Sequence, residues 1–154
     1  MKMRSWVAVV AAMAVLGPWS MANGQAVDFK VGALTISAPW SKAALRQRGA
    51  ISIFFTITNA AEDDRLLAAS SNLPGEIEFR ALRIASGVFR SARLSSFEIF
   101  TGIQTLEPDG PQLLALRAGT LTEGSVFPLV LTFERAGIIE IEVPVLGPRA
   151  MGPP

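Results

Sequence analysis

The 154-residue chain carries 14 Lys and Arg against 13 Asp and Glu, a net charge of +1, and contains no His and no Cys. That balance leaves no basic footprint for nucleic acid. The two missing residue types exclude ordinary zinc sites, Ser-His-Asp and Cys-His nucleophiles and the usual proton shuttle, so the chain reads as a non-enzyme.

The chain opens with Lys2 and Arg4, an apolar run over Trp6–Leu16, and a break at Gly17–Pro18. Small residues follow at Ser20, Ala22, Gly24 and Ala26. Residues 1–26 are therefore expected to be a secretory signal, cleaved after Ala22 or Ala26. The apolar run is well short of the roughly 20 residues that span a bilayer, so no membrane span is expected after cleavage. Loss of 1–26 removes Lys2 and Arg4, leaving 128 residues with 12 basic and 13 acidic side chains, a net charge of −1. Four of the five Met residues leave with it, and Met151 remains. An exported domain without Cys is held by packing alone, with no disulfide.

Asp28–Ser37 alternates around Gly32 and reads as one strand or a bent pair. Pro39 then enforces extended backbone ahead of Trp40, the one tryptophan left after cleavage, read as a core or edge plug. Ser41–Arg48 is polar and is expected to be an exposed crossover loop. Ala50–Asn59 is a strand, with Ile51, Ile53, Phe55 and Ile57 on one parity and Phe54 breaking the pattern. Asn59–Arg65 is a turn. Its Glu62, Asp63 and Asp64 lack the glycine-punctuated ligand loop of a calcium site, and read as a charged turn.

Further strands are expected over Arg65–Ser70, Glu76–Ile84, Val88–Leu94, Phe97–Phe100, Ile103–Leu106 and Leu113–Leu116, separated by short turns. Pro128–Val145 gives the clearest signal. Leu129, Leu131 and Phe133 share one parity, as do Ile139, Ile141, Val143 and Val145, with Glu140 and Glu142 facing away. The short link Glu134–Gly137 makes this a hairpin. Strands of this length without a convincing helix predict an all-β sandwich or barrel of roughly 8–9 short strands over residues 27–146. Residues 147–154 have the composition of a disordered tail.

The run APWSKAALRQRGAISIFFTITNAAEDDRL, then IEF, SGV, LEPDG and LVLTFERAGIIEIEVPV, resembles the periplasmic copper chaperones of the PCuAC type, from about Val31 to Val145. The resemblance implies a cupredoxin-like β-sandwich, a periplasmic or otherwise secreted location, and a family role in carrying Cu(I) on His and Met ligands towards cytochrome oxidase. The family's first His and following Met fall on Arg80 and Leu82. Its next Met falls on Ser91, with Phe89 replacing a frequent neighbouring Met. Its final His and Met fall on Gln112 and Leu114, a one-residue deletion near Gly102 keeping the register. None of the ligands is present, and Cu(I) selects thiolate, thioether and imidazole donors. No metal and no cofactor are therefore expected.

Leu82, Phe89 and Leu114 have the size a Met fills, so the corner is expected to stay packed without metal. Arg80 and Arg90 are expected on one sheet face across the Ser86–Gly87 turn. The simpler reading makes these arginines solvated strand residues that blunt an edge. The sharper one makes Arg80, Phe89, Arg90 and Gln112 a contact surface for an anion or protein. The chain is thus read as a metal-free binding or accessory protein, its partner an exported copper-handling or oxidase-assembly protein. The alternatives are a chaperone whose ligands come from a partner, and a carboxylate-based hydrolase using Glu140 and Glu142.

Overall fold

The computed structural model describes residues 27–44 and 49–154; the expected signal at 1–26 and part of the expected crossover loop lie outside them. Eleven strands and no helix make up the described chain. They are β1 (Phe29–Val31), β2 (Leu34–Lys42), β3 (Ile51–Asn59), β4 (Asp64–Ser71), β5 (Ile77–Ala85) and β6 (Val88–Leu94). After these come β7 (Phe97–Ile99), β8 (Gly102–Leu106), β9 (Gln112–Ala115), β10 (Val126–Phe133) and β11 (Gly137–Leu146). Their order is β6-β5-β9-β3-β2-β11-β10-β4-β7, with β1 also on β2 and β8 also on β3. The architecture is the cupredoxin-like all-β fold expected. The count rises because Asp28–Ser37 is a bent pair and because short strands, β7 among those expected, each stand separately.

β10 and β11 pair as their alternation predicts, with Leu129 opposite Ile141 and Phe127 opposite Val143. β4 flanks the hairpin on one side and β2, in parallel, on the other. Leu129, Leu131, Ile141 and Val143 are consequently buried against Ile36, Ile53, Phe55 and Ile57. Gly137 closes the hairpin with φ +96°, a conformation that a side chain would strain.

β2 corrects one expectation and explains another. Ser41 and Lys42 belong to this strand rather than to a loop. Ser41 is buried, and its hydroxyl donates to the Ser52 carbonyl at 3.0 Å. Between the pairs Ser37–Thr56 and Trp40–Phe54, two residues of β2, Ala38 and Pro39, oppose one of β3. This is a β-bulge, where Pro, which has no N–H for the ladder, is tolerated. The extra residue switches Trp40 to the face opposite Leu34 and Ile36. There it meets Phe54, with ring centroids 4.7 Å apart. Both rings are buried. The break in the β3 pattern at Phe54 is the partner of the bulge, and Trp40 is the plug expected.

Candidate functional site

The five positions expected from the resemblance to correspond to ligands lie on one face of the β6-β5-β9 segment. Side chains two apart on a strand share a face, and directly opposed residues do likewise. Glu78, Arg80 and Leu82 therefore face one way from β5. Ser91 lies opposite Leu82 on β6 and Arg93 opposite Arg80. On β9, Gln112 lies opposite Arg80 and Leu114 opposite Glu78. Arg80, Leu82, Ser91, Gln112 and Leu114 thus form one patch, with Glu78 and Arg93 inside it.

The patch is organised by Glu78, which sequence reasoning passed over. Its side chain is only 7% exposed, and both carboxylate oxygens are occupied. Arg80 donates to Oε2 through Nε and Nη2, at 3.1 and 3.0 Å. Arg93 Nη1 lies 3.2 Å from Oε1. Arg80 Nη1 also donates to the Ser91 hydroxyl at 3.4 Å. A carboxylate with so little solvent needs compensating charge, and the two guanidiniums supply it. The signal available in the sequence was a single acid two residues before Arg80, on its parity.

Three expectations about this corner change. Leu82 is 42% exposed, because β9 pairs with β5 only from Ile77 to Arg80 and leaves Leu82 without a sheet neighbour on that side. It does not fill a packed corner; Leu114, one strand further in, is half-buried. Phe89 is exposed as well. Arg90 lies opposite Arg83 and so faces away from Arg80. Of the four contact residues expected, Arg80 and Gln112 are adjacent, Phe89 lies further out on the same face, and Arg90 is on the other. Arg80 is also not simply solvated, since with Arg93 it holds Glu78.

The donor set does not fit Cu(I). At the five positions stand a guanidinium, two aliphatic chains, a hydroxyl and an amide, and Cu(I) favours soft sulfur and imidazole ligands. The sole sulfur among the described residues is Met151, in the C-terminal tail. No cluster of three acidic side chains able to hold a metal occurs among the described residues.

The acidic turn has a structural role finer than a charged turn. Glu62 pairs with Arg135, and Asp63 accepts from the Thr101 amide at 2.9 Å. Asp64, buried at the start of β4, accepts from the amides of Arg65, Arg135 and Ala136 at 2.7, 2.9 and 2.9 Å. Burial pushes its pKa up, but the three amides, with the Arg135 charge, outweigh that and hold it below the ordinary carboxylate value. Asp64 thereby ties the β3–β4 turn to the closed end of the β10–β11 hairpin. Glu140 and Glu142 are exposed on β11, opposite Val130 and Pro128.

Residues 34–145 match the profile of the family described as "Putative lipoprotein LpqE-like". Comparison with curated protein sequences gives no match. Among solved structures, the chain is similar to the copper-bound PCuAC domain from PmoF2, with 23% identity, 79% of this chain and 99% of that chain covered, and a TM-score of 0.67. The apo PmoF2 PCuAC domain gives 24% identity, 82% and 100% coverage, and a TM-score of 0.69. The solution structure of Cu(I)-DR1885 from Deinococcus radiodurans gives 17% identity, 81% and 83% coverage, and a TM-score of 0.54. These likenesses establish the fold.

Proposed function

The chain belongs to the LpqE-like family, and on that premise we propose that it is an exported, non-catalytic binding or accessory protein whose ligand corner no longer carries Cu(I). The observation that carries the reading is the Arg80–Glu78–Arg93 cluster, set among the positions that the resemblance assigns to ligands, of which Arg80 is one. Two guanidiniums there repel a cation, and the neighbouring side chains offer no soft donor to offset that repulsion. Arg80, Glu78 and Arg93 form a closed ion cluster there, which is a different local solution from an empty ligand shell. Export follows from the signal-like residues 1–26 and accords with a family described as lipoproteins. Acylation at a cysteine has no attachment point in these 154 residues. The partners to be sought are exported copper-handling or oxidase-assembly proteins.

The test is a Cu(I) competition against a tight chelator. The exported, processed protein is expected to surrender all its Cu(I). A variant ending at Leu146 excludes the Met151 thioether, and stoichiometric submicromolar retention by that variant would overturn the proposal. The combined variant Arg80→His, Leu82→Met, Ser91→Met, Gln112→His and Leu114→Met should regain Cu(I), since these positions share one face across directly paired strands.

A further inference from the structure

We propose that the outer half of the β5–β6 hairpin is a finger that docks on an anionic lipid bilayer. Beyond Arg80, β5 leaves β9 and pairs with β6 alone. Residues 81–92 are thus a two-stranded ribbon projecting from the body. It ends in the turn Ser86–Gly87, with φ of +53° and +72°, the backbone of a tight two-residue hairpin turn. An isolated ribbon has no core in which to hide its apolar residues, and they are exposed at its tip. Ile84, opposite Phe89, is 68% exposed and Phe89 70%. On the other face Val88, opposite Ala85, is also exposed. The tip is therefore apolar on both faces.

Beneath the tip the ribbon is cationic on both faces. Arg83 and Arg90 are directly opposite one another, an arrangement that destabilises a hairpin in isolation. The lower pair, Arg80 and Arg93, is only partly offset by Glu78, one carboxylate against two guanidiniums. The upper pair has no acidic partner among the described residues, and no acid occurs between Phe79 and Phe97. An anionic ligand would relieve that repulsion.

The distribution selects a bilayer over a protein groove. A groove or an added strand would engage one face or one edge, leaving exposed apolar and cationic groups on the other. A bilayer surrounds an inserted tip. Strands rise about 3.3 Å per residue, so Arg83 and Arg90 lie one step below Ile84 and Phe89. When the tip enters the headgroup and acyl boundary to the usual ~5–10 Å, these guanidiniums reach the phosphates and bury their stems. Attraction to anionic headgroups then adds to apolar burial.

The test is flotation of the exported, processed protein with vesicles of phosphatidylglycerol and phosphatidylcholine, and with phosphatidylcholine alone. Binding to the anionic vesicles is expected, weakened by added salt and at least tenfold weaker for Arg83→Gln with Arg90→Gln. A Phe89→Trp variant should show a blue-shifted emission on adding anionic vesicles. All these side chains are exposed, so the denaturation midpoint should stay at the parent value and a loss of binding is not a loss of fold. The proposal is overturned if anionic vesicles leave the protein unbound, if neutral vesicles bind it equally, or if the Phe89→Trp emission does not move. Capture of residue 89 by an exported protein in vesicle-free solution would likewise overturn it, in favour of a protein contact. None of these outcomes bears on the Cu(I) competition, so the two readings fail separately.

Discussion

The two long hairpins of this molecule are built from similar strands and meet opposite fates. β10–β11 lies between β4 and β2, and its inward residues from Phe127 to Val145 are buried, Ile139 partly so. β5–β6 has β9 beside only its base, and its outer apolar residues face solvent. The closed end of the first is held by Asp64 through the amides of Arg135 and Ala136. The turn of the second, at Ser86–Gly87, is held by its own backbone geometry. Strand pairing alone therefore does not bury a face. A hairpin becomes core when neighbours flank it, and becomes a projecting contact element when they stop partway.

The sharpest test of that contrast is to remove volume from the flanked hairpin. Leu131→Ala and Ile141→Ala each empty a fully buried position, and such truncations typically cost about 2–5 kcal/mol. Against a total of about 5–15 kcal/mol for a small domain, the denaturation midpoint should fall well outside error. Trp40, buried against Phe54, reports unfolding by fluorescence. A midpoint unchanged in either variant would mean that the flanking by β4 and β2 is not what stabilises this region.

Asp64→Asn should have the next largest effect, about 2–3 kcal/mol, because an anion accepting three amide bonds is replaced by a neutral group that can donate into one of them. The same substitution carries a pH signature. The folded-state pKa of Asp64 is depressed, whereas an unfolded aspartate titrates near about 3.9. The carboxylate therefore contributes stability that is fully present above that value and is lost as pH falls through the folded pKa. Urea midpoints at pH 7 and pH 3 should diverge strongly in the parent and less in Asp64→Asn. Equal pH dependence in the two proteins would remove Asp64 from its assigned role.

At the boundary between the two regimes stands Glu78. Glu78→Gln leaves Arg80 and Arg93 facing each other without their anion. Both arginines retain some solvent, so the cost should be about 1–2 kcal/mol and should shrink as salt screens the repulsion. A loss indifferent to salt would point to a packing role for Glu78.

Much of this was legible in the residues. The alternation of β11 and the Gly137 turn follow from period two and one permissive residue, and most strand boundaries lie within a residue or two of expectation. Three things were not legible, each because it depends on what stands alongside. The side that Trp40 faces is set by a two-against-one bulge with β3. The burial of Glu78 depends on β9 and β6 bringing Leu114 and Arg93 beside it. The exposure of Leu82 depends on where β9 ends, which no property of β5 announces.

Leu82→Ala is accordingly the smallest effect and the most discriminating. The family resemblance places Leu82 where a metal-binding thioether would sit, and on that ground its truncation ought to open a cavity. The structure instead gives it solvent on one side and Ser91 across the strand pair. Removing an exposed aliphatic chain leaves no cavity, and surface substitutions of this kind usually stay within about 0.5 kcal/mol. Leu114→Ala, half-buried one strand inward and opposite Glu78, should cost more. The ordering Leu131→Ala, then Leu114→Ala, then Leu82→Ala follows burial, from fully buried through half-buried to exposed. If Leu82→Ala proved as costly as Leu131→Ala in the same fluorescence measurement, the ribbon would be packed against the body rather than free, and its availability as a docking finger would go with it.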